Sequence, residues 1–212
     1  LTAPILDYAL KLPIHVYYLS KIRLYYLFGE SEKALELVAP AQAVAYASTG
    51  YVYYSDLNFL HSLVLLDLAA KSDETERAAL LETATQNQVQ MKIWADNAPD
   101  NFLHKYHLIE AGIKSFQADN RSTSDEYDET IRLANINGFL HDEALVNELA
   151  GKFFLGIGKP KLARPYLQDA FALYLKWGAV TKANQLKTLY PDHITELVRR
   201  GGTHIGTGKN TQ

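Results

Sequence analysis

The chain has 212 residues, of which 48% are hydrophobic and 21% charged, with a net charge of −3 and no cysteine. These are the proportions of an ordinary folded protein, and the length is enough to bury roughly 70% of the surface the unfolded chain exposes. The weak negative charge gives no electrostatic footprint for nucleic acid or an anionic membrane. The lack of cysteine excludes disulfides, thiol catalysis and cysteine metal sites, and fits a reducing cytoplasm.

The opening stretch LTAPILDYALKLPIH has no basic leader and carries prolines, so it does not read as a signal peptide. The longest uncharged runs are too short to cross a bilayer. Leu1 in place of a methionine points to a piece of a longer protein. Pro4 suits the first turn of a helix after Thr2, and Pro13 should end that helix. Residues 14–28 then form a helix rich in Tyr and Leu. Gly29 stops it, and Ser31 caps a second helix that returns antiparallel to about residue 47. After a turn at 48–50, residues 56–70 are apolar nearly all round, which marks a helix covered on several sides.

Residues 71–77 read as a charged turn, and 78–98 as a long helix ended by Pro99. Asp100 caps the next helix, 101–118, and DNRSTS at 119–124 reads as a loop. Helices at 125–136, 140–155, 159–177 and 179–190 follow. Their gaps are short and hold Gly138, Gly156, Gly158 and Gly178, so neighbours must run antiparallel. A weak helix at 192–200 leads into the polar tail GGTHIGTGKNTQ, which reads as a flexible linker. No strand pattern survives.

One pattern recurs. Gly151, Phe154, Gly158, Ala163, Leu167 and Ala170 are separated by steps of 3, 4, 5, 4 and 3, and so are Ile22, Tyr25, Gly29, Ala34, Val38 and Ala41. The first two marks share a face of one helix and the glycine makes the turn. The alanines let the second helix approach, and the apolar residue between them continues its inner face. Tyr127, Ile131 and Ala134 repeat the second-helix marks. The two clear units, about 15–47 and 144–177, lie 129 residues apart. That is no multiple of the period of about 34 residues that tetratricopeptide repeats show, so insertions must separate them. The fold class expected is all-α, an irregular tetratricopeptide-like superhelical array of antiparallel helix hairpins over residues 1–191, followed by a short helix and tail over 192–212. Such arrays carry a concave groove.

Several separated motifs carry a narrower resemblance: Trp94-Ala95 with Pro99, Asn101 and Phe102; Asn137-Gly138-Phe139 with Glu143-Ala144-Leu145; Tyr174 with Trp177-Gly178-Ala179; and Leu189-Tyr190-Pro191. Together with DLNFLHSLVLL at 56–66, they make residues 17–191 resemble the helical region of large multi-sensor signalling kinases of cyanobacterial and fungal hybrid type. Those proteins join a Ser/Thr kinase-like domain, an AAA-type ATPase, tetratricopeptide-like helices, a GAF sensor and a histidine kinase. The chain departs from them in scope. It has no kinase glycine loop, no HRD, no DFG and no phosphoacceptor histidine context. The resemblance therefore implies a non-catalytic interaction and relay scaffold, cytoplasmic, whose partners are neighbouring domains of a parent kinase or protein and peptide segments, with no nucleic acid, membrane or cofactor.

Other constellations were weighed beside that reading. Nine of the 14 tyrosines fall at or before Tyr54. Tyr18, Tyr25, Tyr53 and Tyr54 are the candidate groove residues, since aromatics with polar tips suit interfaces. Trp94 and Trp177 are expected to pack where hairpins meet. His104, His107 and Glu110 share a helical spacing, with His61 and His141 available elsewhere. They read as packed or capping residues near a hairpin interface; a helical sensor holding a small molecule or metal between hairpins is the alternative. Asp142, Glu143 and Glu148 form an acidic patch near a helix start, where carboxylates suit the helix dipole. The tail GTGKNT falls short of a phosphate loop, because Thr203 and Asn210 stand where Gly and Ser or Thr are needed.

Overall fold

The computed structural model describes residues 3–195, with side chains from residue 10 onward. Thr2, the tail with its GTGKNT sequence and most of the helix expected at 192–200 lie outside the described residues. Within them, residues 191–193 form a turn, and there is no strand. The helices are α1 (Ala3–Leu27), α2 (Ser31–Glu36), α3 (Val38–Val44), a 3-10 turn (Ala45–Ser48), α4 (Val52–Ala69), α5 (Glu74–Asn97), α6 (Pro99–Ser115), α7 (Asn120–Ile136), α8 (Leu140–Gly156), α9 (Pro160–Trp177) and α10 (Val180–Leu189).

Local chemistry accounts for most of these limits. Asp73 caps α5 by accepting a bond from the Glu76 N–H at 3.0 Å, and Pro99 opens α6 at a position that needs no N–H. Gly178 ends α9 at a φ of 90°, in the left-handed region that favours glycine.

Five expectations are corrected. Pro13 does not end a helix, because α1 runs through it. It lies on the exposed side, where solvent can satisfy the carbonyl left without its N–H. Conversely, the single helix expected over 31–47 is broken at Leu37. Pro40 cannot donate to the carbonyl of Glu36 and its ring crowds that carbonyl, so α2 and α3 part there. Ser31 is no side-chain cap; it is buried, and its hydroxyl donates to Asp67 at 2.6 Å. Asp100 sits inside the first turn of α6 instead of capping it. DNRSTS is the start of α7, since Asp119 accepts from the Ser122 N–H at 3.0 Å and makes the polar run a capped first turn.

Helices adjacent in sequence pack on one another from α4 through α10, and α4 also touches α1, α2, α3 and α6. That agrees with its apolar surface: Leu57, Phe59, Leu60, Leu63, Val64 and Leu65 are all buried. One core cluster runs from α1 to α8, and a smaller one joins α8, α9 and α10 with Ile194. Ala34, Val38 and Ala41 are buried, as are Ala163, Leu167 and Ala170. Gly29 and Gly158 turn the chain at φ of 82° and 71°. Gly151 is a contact glycine, because a Cβ there would lie 2.6 Å from Cγ of Leu167.

The end of α1 meets α10. Lys182 of α10 donates to the carbonyl of Leu27, at the end of α1, at 2.6 Å, and Gln185 reaches that of Phe28 at 3.4 Å. A carbonyl in the last turn of α1, without a partner in its own helix, is thus capped from 155 residues away.

Candidate functional site

A cleft of about 420 Å³ opens where α4 begins, α5 ends and α6 begins. Gly50, at φ 87°, turns the chain into α4 and puts Tyr51 and Tyr54 at its start. Trp94 stands in the last turn of α5, and the Ala98-Pro99 corner brings Phe102 back toward it. Tyr54 meets Trp94 edge-on at 6.1 Å between ring centres, and Phe102 tilts against the other side of Trp94 at 6.1 Å. Phe139, Asn101, Ser55 and Lys105 complete the lining. Beyond the Tyr54–Trp94 pair lies a second hollow of about 210 Å³, lined by Gln42, Asn58, His61, Asn87 and Gln90. There Asn58 donates to the Asn87 carbonyl at 3.3 Å, Asn87 donates to Ser62 at 3.1 Å, and the buried Oδ1 of Asn58 has no partner. One half suits a flat or apolar side chain and the other suits peptide amides.

The four tyrosines singled out from sequence do not come together. Only Tyr54 lies in the cleft. Tyr53 is half-buried and stacks on Tyr51 at 6.4 Å. Tyr18 packs on Tyr17, and Tyr25 lies under the ammonium groups of Lys21 and Lys33 on α1 and α2. On a helix, Tyr18 and Tyr25 are two turns apart on their own face, and the break at Leu37 carries the next hairpin away from them. Trp94, read as packing, is both packing and cleft wall. Phe102 and Phe139 carried no signal as site residues. Trp177 is 40% exposed, beside His141 and Tyr174.

The spacing of His104, His107 and Glu110 is not a shared face in the fold. His104 Nε2 lies 2.9 Å from Asp142, His107 Nδ1 lies 2.5 Å from Glu126, and Glu110 accepts from Gln88 at 2.8 Å. Each is engaged with a different helix, and among the described residues no three His, Asp or Glu side chains stand together as a metal site.

The acidic patch also separates into different environments. Glu143 accepts from Asn135 at 2.9 Å near the surface. Asp142 is buried against His104, whose ring stacks on Phe139 at 4.3 Å. Glu148 is buried in the middle of α8, where it binds Lys182 at 2.9 Å, Lys152 at 2.6 Å and the Tyr174 hydroxyl at 2.8 Å. A half-buried group joins three helices: Asp56 of α4 pairs with Arg23 of α1 at 3.1 Å and with Lys105 of α6 at 2.5 Å. Apart from Lys152, four residues from Glu148, the side chains that Asp142, Glu148 and Asp56 bind in this way lie 26 to 49 residues from them, so no local pattern announced them.

Burial pushes the Asp142 carboxyl up. The hydrogen bond from His104 and the charges of His141 and Lys105 outweigh it, and hold the group down from 3.8 to about 2. A carboxyl lowered in the folded state contributes stability that is present above its unfolded value and lost as pH falls through the folded one. Denaturant titrations from pH 5 to pH 2 should show this loss between about pH 4 and pH 2, amounting to about 2 kcal/mol. Asp142→Asn should remove that part of the pH dependence. An unchanged slope in the variant would refute the assignment.

Comparison with known proteins gives one partial likeness. Fifty residues, 24% of this chain, are 42% identical to the hybrid signal transduction histidine kinase G of Dictyostelium discoideum. The matched stretch is 2% of that protein's length. No protein-family profile matches the chain, and no solved structure matches it. No helix among the described residues is long and apolar enough to cross a membrane.

Proposed function

We propose that this chain is a non-catalytic interaction and relay scaffold within a cytoplasmic, multidomain signal-transduction kinase. It is a tetratricopeptide-like stack of hairpins that links an ATPase module to GAF and histidine kinase parts. The observation that carries this reading is the partial likeness to a hybrid histidine kinase in a chain built of sequentially packed helices. The buried acids and bases support it, since their contacts are made with one another across helices. They bind the body together, while the cleft around Tyr54 and Trp94 keeps aromatic area open to solvent. The partner is then a neighbouring domain or a protein segment that seats a side chain against those rings. The joint between α10 and the end of α1 supports the relay, because it couples the first and last described helices directly.

The test uses the purified chain with separately purified ATPase and GAF segments of the parent protein. Binding to at least one is expected, with at least a tenfold loss in Tyr54→Ala; Tyr54 is 45% exposed, so its removal should cost the fold little. Failure to bind any neighbouring domain, or binding indifferent to Tyr54, overturns the reading.

A further inference from the structure

A third hollow, of about 280 Å³, lies on a different part of the molecule, between α1, α4, α6, α7 and α8. Its walls are mostly apolar, formed by Leu63, Leu66, Leu108, Phe116, Leu149 and Phe153. Gly112 draws α6 onto Leu66 of α4, with room for no side chain: a Cβ there would lie 2.5 Å from the Leu66 methyl group. The hollow sits over this tight crossing.

Two tyrosines, Tyr26 of α1 and Tyr127 of α7, also line it. Tyr127 is only 6% exposed. Neither hydroxyl has a hydrogen-bond partner among the described residues, and neither is among the polar atoms sealed from solvent. Both therefore open onto the hollow. A few polar groups set at one apolar pocket are the arrangement by which small-molecule sites orient a ligand. Burial holds both phenols well above their ordinary range, with Asp67, Glu148 and Tyr127 adding to the effect at Tyr26. Both are thus neutral hydroxyls that donate and accept.

The charged groups at the rim are already paired. Asp67 accepts from Ser31 and from Lys71, each at 2.6 Å, and Lys152 is bound to Glu148. A charged ligand would meet both signs without a free counter-ion. The volume is just below the usual range for ligand pockets, which limits the occupant to one or two rings.

We propose that this hollow is a binding site for a small, neutral, ring-containing molecule that carries a hydroxyl or carbonyl oxygen, with Tyr26 and Tyr127 as the residues that recognise the oxygen. The probes are 2-naphthol and naphthalene, titrated into the whole chain by calorimetry and by amide NMR shifts. 2-Naphthol should bind saturably, with shifts centred on α4 and α7, and more tightly than naphthalene. Tyr127→Phe should weaken 2-naphthol by roughly 2- to 10-fold, the effect of one lost hydrogen bond, and leave naphthalene unchanged. Ala70→Phe places a ring at the exposed mouth of the hollow and should weaken both at least tenfold. Thermal melts of both variants confirm that they are folded. No saturable binding of 2-naphthol, equal affinity for the two probes, or indifference to Ala70→Phe overturns the proposal.

Discussion

Glu148→Ala should lower the stability of this fold by about 3–5 kcal/mol, the loss typical when one partner of a buried ion pair is removed. Glu148 is 1% exposed and receives three side chains, from Lys152, Tyr174 and Lys182. Burial pushes its carboxyl up, but Lys152 and Lys182 outweigh burial and hold it below its ordinary value. It is therefore ionised in the fold at neutral pH. Alanine would leave Lys182, 4% exposed, with the Leu27 carbonyl and the Gln185 amide oxygen but no counter-charge. Burial already lowers the Lys182 ammonium, so the lone cation would have to shed its proton or break α10 away from α1. Lys152 is half exposed and can turn to water. Urea unfolding followed by circular dichroism measures the loss. The double variant Glu148→Leu, Lys182→Met should recover most of it, because a packed apolar pair replaces a buried charged one at little cost. A single-variant loss below about 1 kcal/mol would show that the pair is not buried in solution.

Phe59→Ala should cost a similar amount, about 3–5 kcal/mol. Phe59 is 1% exposed on α4, the helix in contact with α1, α2, α3, α5 and α6. A void there is walled by several helices fixed to one another, and it cannot close by the shift of a single element. The substitution also takes away the ring beneath the Lys105 ammonium, which lies 5.3 Å from its centre. Tyr54→Ala on the same helix is the control, since an exposed ring should cost far less. If the two variants melt alike, α4 is not the centre of the core.

The two substitutions probe different parts of what was legible beforehand. The burial of residues around Phe59 could be read from LNFLHSLVLLDLAA, because a helix apolar on every side has no face left for water. The turns at Gly29, Gly158 and Gly178 could be read too, because only a residue without a Cβ enters the left-handed region freely. The Glu148 contacts could not. A glutamate near the acidic start of a helix looks solvated until Lys182 arrives from another helix. The capped start of α7 was misread for a related reason: Asp119 can begin a loop or cap a helix, and the choice depends on where α7 must lie to pack on α6 and α8.

By itself the sequence determined the helical class, most of the helix ends after residue 50, the apolar faces and the hairpin turns. These follow from short-range physics: side-chain period, proline geometry and glycine freedom. Only the tertiary structure decided which polar side chains are buried, that α10 closes onto α1, that Tyr54 leaves the other candidate tyrosines to join Trp94 and Phe102, and that Tyr26 and Tyr127 face one hollow. Each of those depends on residues brought together from distant helices. Contacts of that kind are set by how helices cross, which the spacing along any one helix does not encode.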